Sequence, residues 1–343
     1  MSNAVCGEDV DMRYIIYGAG GIGGGIGALL QLAGCDVVLI SRGAHLDAMQ
    51  QDGLLVRRPS GEQRVPVTAV GHPSELTFGD EDVVILTMKG QDTAGALDDL
   101  ERCAGPELPI VCGQNGVGNE RSVARRFLNA YGMLVVMPAT FLVAGEIALF
   151  GEPRAGLLDS GRFPRGVDET VTQLCADLSR AGFNAQADAD VMRLKHGKLL
   201  DNLGNAVGAL CGETALRSAG DEVRAFMRRM REEAIACYDA AQIDYAPRAE
   251  VGERRAATFS SGEIPGVERG GSSTWQSFRR GVPAIETDWL NGEIVLLGLE
   301  HDVPTPANRA LQLMAKRALR SGLSVGSVAI GEIVALEEQL AAG

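Results

Sequence analysis

The chain has 343 residues, 45% of them hydrophobic and 22% charged, with a formal net charge of −13. That length predicts two domains, and the composition is that of a globular protein. The acid excess and the absence of any lysine or arginine block argue against a nucleic-acid or anionic-membrane surface, and no apolar run approaches a membrane span.

In chain order, the first dozen residues carry Glu8, Asp9 and Asp11 without a basic start, and read as a disordered leader and not as a signal peptide. The apolar strand Arg13–Tyr17 then runs into Gly18-Ala19-Gly20-Gly21-Ile22-Gly23, spaced G-x-G-x-x-G, and a helix is predicted over 22–33. Gly18 permits the tight turn, Gly20 lets the backbone approach a pyrophosphate, and Gly23 lets helix and strand pack closely. Phosphates favour the free N–H groups and positive dipole end of such a helix. With the next strand at Asp36–Ile40, the order predicts a dinucleotide site built by Gly18, Ala19, Gly20, Gly21, Ile22 and Gly23. NAD-binding folds place an acidic side chain at the tip of that second strand, whereas this chain reads Leu39-Ile40-Ser41-Arg42-Gly43. The arginine fork of Arg42 and the Ser41 hydroxyl suit a 2′-phosphate, which favours NADP(H).

Strands at 83–87, 109–112 and 133–137 alternate with helices at Thr93–Cys103 and 119–129, the signature of βαβ units. Segments 54–57 and 64–70 flank Pro59-Ser60-Gly61-Glu62, a hairpin signal. The glycine- and proline-rich span 145–166 predicts short strands and loops, and a helix over 167–181 closes the unit. Beyond residue 190 the apolar spacing turns helical, over 191–216, 221–241, 285–299 and 306–321, with an irregular span at 244–277. The fold class is therefore α/β: a Rossmann-type doubly wound parallel sheet over 12–188, followed by an all-helical C-terminal domain over 189–343, with a ligand cleft between them. Val295, Leu296 and Leu299 suit either a homodimer interface or a core.

Seven cysteines, scattered and without C-x-x-C, fit reduced thiols in a cytoplasm, and four dispersed histidines show no metal-ligand spacing. Two polar positions fall where strands of the parallel sheet end: Lys89, after the apolar run 83–87, and Asn115, in Gln114-Asn115-Gly116. On a predicted helix, Lys198, Asn202 and Asn205 share one face at i, i+4 and i+7, beside an apolar stripe of Leu199, Leu203 and Leu210. His196 lies on the far side and reads as non-catalytic.

Taken together, the glycine turn, Lys89, Gln114-Asn115-Gly116, Lys198-Leu199 with Asn202, Ser272-Ser273 and Glu286 resemble the ketopantoate reductase (2-dehydropantoate 2-reductase) family, over residues 13–321. The resemblance implies NADPH-dependent reduction of a small-molecule 2-oxo acid, with Lys198 as proton donor to the developing alkoxide. It further implies that Lys89 contacts the cofactor and that Asn115 bonds at the cofactor–substrate junction. Asn202 and Ser273 match substrate-binding positions, and Glu286 would gate the pocket near the nicotinamide ribose. The chain departs from the pattern where the family has a second substrate asparagine, eight residues after the lysine. Here that position is Ala206, and the adjacent Asn205 is turned about 100° on a regular helix. Two other readings stay open: a catalytically silent NADP-binding regulator, and a related dehydrogenase acting on 3-hydroxy acids or amino-acid-derived imines.

Overall fold

A computed structural model describes residues 12–212, 220–267, 275 and 286–342. The first strand, β1 (Arg13–Tyr17), pairs in parallel with β2 (Asp36–Ile40) on one side and β6 (Asp82–Leu86) on the other. Beyond β2 lies β5 (Thr68–Val70), and beyond β6 lie β7 (Ile110–Cys112) and β8 (Ala130–Val136), all parallel; β12 (Leu157–Arg162) closes that edge antiparallel. In the resulting order, β12-β8-β7-β6-β1-β2-β5, the winding reverses between β1 and β6, and ligands bind at the carboxyl ends of strands flanking such a switch point. The central strands are mainly apolar because helices cover both faces: Tyr14, Ile15, Ile16, Val84, Ile85 and Leu86 have no exposure.

Helices α1 (Gly21–Leu32) and α5 (Glu169–Arg180) share one core cluster with a face of the sheet. Helices α3 (Thr93–Cys103) and α4 (Asn119–Ala124) pack on the other face, and α2 (Gly43–Asp52) follows β2. A second sheet, ordered β4 (Gly61–Val65), β3 (Leu54–Arg58), β10 (Glu146–Leu149) and β9 (Ala139–Val143), wraps over α1.

The C-terminal region is helical: α6 (Val191–Asn202), α7 (Asn205–Cys211), α8 (Asp221–Ala240), α9 (Arg248–Thr258), α10 (Asn291–Glu300), α11 (Pro306–Arg320) and α12 (Ile330–Ala341). Phe226, Met230, Leu311 and Ile333 anchor one core, and Leu199, Tyr238 and Ile294 another. Val295 is buried in this region, whereas Leu296 and Leu299 are exposed.

Several elements differ from expectation. The helix expected over 119–129 stops at Ala124, because the chain must turn before β8 begins at Ala130. The span 64–70 divides at Pro66, which has no N–H to offer a continuous ladder, so β4 and β5 join different sheets. The span expected to be irregular holds α9 and a short strand, β13 (Phe259–Ser261), which pairs antiparallel with β11 (Gly151–Pro153) and ties the helical region to the first half. The helix expected from 285 begins instead as a tight 3₁₀ turn, Glu286–Trp289, before α10. The helix expected over 191–216 is interrupted at Leu203 and Gly204, and its last residues fall outside the described ones.

Gly23 shows how closely α1 is seated. A Cβ there would collide with the Thr87 hydroxyl and the Gly18 carbonyl oxygen, and backbone cannot give way cheaply. Gly23→Ala is expected to cost about 1–3 kcal/mol, read as a lower thermal midpoint.

Candidate active site

The glycine turn leaves β1 with Gly18 at φ +105°, a conformation few side chains tolerate, and a Cβ there would stand 2.6 Å from the Met88 backbone nitrogen. Thr87, at the end of β6, donates its hydroxyl hydrogen to the Gly18 carbonyl at 2.8 Å and so ties the two strands of the switch point together. Gly20 caps α1, and a Cβ on it would meet only open space, so the backbone is bare where the cleft begins. The first N–H groups of α1 have no intrahelical acceptor. Gly18, Ala19, Gly20, Gly21 and Ile22 all line the cleft; Gly23 sits behind it, packed on Ile16 and Thr87.

His45 braces this turn from below. Its Nδ1 accepts from the Gly145 N–H at 2.9 Å, so Nε2 carries the proton and donates to the Ala19 carbonyl at 2.7 Å. Burial lowers its pKa, which keeps the ring neutral. At the tip of β2, Ser41 and Arg42 line the same cleft, and the exposed Arg42 guanidinium forms no ion pair among the described residues.

The cleft encloses about 960 Å³ and runs from Arg42 past the glycine turn to the helical region. Along it lie Lys89, half-buried at the exit of β6, and Asn115, in the loop after β7. That loop is held by a buried relay: Gln114 Nε2 donates to Thr93 Oγ1 at 2.8 Å, and Thr93 Oγ1 donates to Asn119 Oδ1 at 2.9 Å. The 3₁₀ turn holds the same place from the other side. A Cβ on Gly90 would lie 2.7 Å from the Trp289 ring, and one on Gly116 would lie 2.6 Å from the Trp289 carbonyl oxygen. Glu286 opens that turn, is buried at 5% exposure, and lines the cleft.

From the helical side, α6 presents Lys198. Its ammonium donates to Asn115 Oδ1 at 2.9 Å and to the Val135 carbonyl at the end of β8, so residues from both halves meet at one nitrogen. Desolvation pushes the Lys198 pKa down to about 7; the nearby Lys195 cation lowers it further, while Glu286 and Asp201 oppose the shift. One turn on, Asn202 lines the cleft with a buried Nδ2 that has no hydrogen-bond partner among the described residues. A buried unsatisfied donor costs free energy, and at a cleft it marks a place prepared for an acceptor.

Ser273 falls outside the described residues. His196 packs edge-on against Tyr238, away from the cleft lining. Asn205 lines the cleft together with Lys198 and Asn202, as their shared helix face predicts. Ala206 opens no space there: it is buried with Val207 and Leu210 in the helical core. Gly204 fits the break, since a Cβ on it would lie 2.6 Å from the Met227 methyl carbon.

Sequence reasoning passes over Lys195, His45, Thr87 and Trp289. A signal for the first is present: the chain has four lysines, and three of them, Lys89, Lys195 and Lys198, lie at or beneath this cleft. Histidine and tryptophan in those roles leave no comparable trace.

A Rossmann-type sheet with a bare glycine turn at its switch point, faced by a lysine from a helical region, defines a two-domain oxidoreductase. Comparison with known proteins gives the family. The models for ketopantoate reductase PanE/ApbA and its C-terminal part match residues 14–157 and 190–318. A 2-dehydropantoate 2-reductase of Mesorhizobium japonicum is 30% identical, covering 89% of this chain and 97% of its own. One from Archaeoglobus fulgidus is also 30% identical, covering 91% and 99%. The crystal structure of a PanE/ApbA family ketopantoate reductase from Ralstonia eutropha superposes with a TM-score of 0.76 at 27% identity, over 91% of this chain and 99% of that one. The chain belongs to the ketopantoate reductase PanE/ApbA family.

The opposed charges around Lys198 give a direct test. Replacing Glu286 by Gln removes a group that holds the ammonium charged, so the Lys198 midpoint is expected to fall below about 7, read by heteronuclear NMR of the lysine side chains.

Proposed function

We propose that this protein reduces a small 2-oxo acid to the 2-hydroxy acid with NADPH, and that Lys198 supplies the proton. The observation that carries the reading is the Lys198 ammonium, held at the junction of the two halves by Asn115 and the Val135 carbonyl, beside the unsatisfied Asn202 amide. The names of the relatives, 2-dehydropantoate 2-reductases, support 2-dehydropantoate or a related branched 2-oxo acid as substrate. On this reading the halves divide near residue 188, between α5 and α6.

The residues present fit a dinucleotide. The bare Gly20 backbone and the free N–H groups opening α1 would hold the pyrophosphate, Arg42 and Ser41 a 2′-phosphate, and Lys89 and Glu286 the further end. A bound reduced nicotinamide supplies the hydride. Asn202 Nδ2, already stripped of water, would donate to the substrate, with Ser273 as a second contact. Asn115 Oδ1 fixes the Lys198 ammonium, and Lys198 Nζ releases its proton to the oxygen as negative charge develops there. An amine near neutrality suits this work, because it is charged often enough to stabilise the oxyanion and weak enough as a base to let the proton go.

Lys198→Met is expected to lower kcat about 10²–10⁴-fold while NADPH still binds, measured by turnover on a 2-oxo acid panel and by cofactor fluorescence. The donor must be protonated, so reduction should weaken as pH rises through the Lys198 midpoint and the reverse oxidation should strengthen. That midpoint is about 7 in the open cleft and moves upward once anions fill it. Arg42→Ala should raise the NADPH dissociation constant by about tenfold or more and leave NADH nearly unaffected; equal loss for both refutes the 2′-phosphate role.

A further inference from the structure

Beneath the cleft a second lysine is placed with as much care as the first. Lys195 lies one helical turn before Lys198 and is 3% exposed. Its ammonium donates to the Cys112 and Gln114 carbonyls, each at 3.1 Å, and pairs with the carboxylate of Glu120, which has no exposure at all. Among the described residues Glu120, on α4, has no hydrogen-bond partner besides that ion pair, so Lys195 is the cation that neutralises it. Two ammonium groups on one face of α6 therefore grip consecutive residues of one loop, Lys195 at the Gln114 carbonyl and Lys198 at the Asn115 side chain.

A buried ion pair is poor evidence of stability, since an apolar pair of similar volume often serves as well or better. What an apolar pair cannot supply is a fixed positive charge one turn from Lys198. We propose that Lys195, charge-balanced by Glu120, is a positioning residue for the reaction: it clamps the loop carrying Asn115 to α6 and holds a cation close enough to Lys198 to set how readily that amine gives up its proton. The proposal rests on the reading of Lys198 as proton donor.

The surroundings of Lys198 make the effect separable. The charged groups that act on it are Lys195 and Asp201 on its own helix and Glu286 on the 3₁₀ turn. The loop after β7 and the end of β8 face it with the neutral Asn115 side chain and a carbonyl. The other elements packed on α6, β12, α8 and α9, bring charges that are mostly paired: Asp159 with Arg254, Glu250 with Arg193 of α6, and Arg231 and Arg248 with Asp201, while Arg255 of α9 lies over the Phe259 ring in the cleft lining. His196, between the two lysines, has its pKa lowered to about 4 and is neutral where Lys198 titrates.

The test is the pH dependence of amine labelling at Lys198 in the cofactor-free protein, using acetic anhydride and peptide mass spectrometry; four lysines keep the spectrum simple. Lys195→Met alone strands the Glu120 carboxylate, so the informative variant is Lys195→Met with Glu120→Gln, checked for folding by circular dichroism. Its Lys198 midpoint is expected to move up by about one pH unit, which cuts the labelling rate at neutral pH about fivefold. The alkaline limb of the reduction profile should move with it. Lys195→Arg, which keeps the charge, should leave the midpoint in place. A folded double variant with an unmoved midpoint overturns the proposal, as does an equal shift in Lys195→Arg. Labelling needs no turnover, so its outcome is independent of whether Lys198→Met abolishes reduction.

Discussion

A lysine amine removed from water is the condition around which this molecule is organised. Taking an ammonium out of water is costly unless partners replace the lost hydration, and the partners here are the carboxyl-terminal ends of parallel strands. Helix α6 must lie against β7 and β8 for Lys195 to reach Cys112 and Gln114 and for Lys198 to reach Val135. The glycine turn meets the same strand ends from the opposite side, because the winding reverses between β1 and β6. Placement of the amine and placement of the turn are thus one geometric fact.

The parts between them are made stiff. The buried Gln114–Thr93–Asn119 relay fixes the Asn115 loop from within, and Trp289 fills the space left open by Gly90 and Gly116 from without. His45 locks the turn by binding it to the β9–β10 connection through a single tautomer. Such bracing is what lets an amide like Asn202 wait unsatisfied in the cleft without the loop collapsing to meet it.

Much of this is legible in the sequence. Arg13–Tyr17, Asp36–Ile40 and Thr93–Cys103 form the elements their patterns predict, because a fully apolar run and a 3.6-residue period are strong local signals. The glycine turn, Lys89, Asn115, Lys198, Asn202 and Glu286 stand out by their order along the chain and do gather in one cleft. What escapes depends on tertiary context. The helix α9 and its strand β13 hide in a polar stretch whose shape comes from pairing with β11, a hundred residues upstream. Lys195 carries no local signal of its role, because its partner Glu120 lies far away in sequence.

The order of Asn205 and Ala206 beyond the turn at Leu203 and Gly204 has a consequence for how relatives should be compared. The turn keeps the helical phase: Asn205, seven residues after Lys198, lines the cleft, and Ala206, one place later, is buried in the helical core. Counting eight positions on from the lysine therefore arrives at a core methyl, while the side chain that reaches the cleft stands one place earlier.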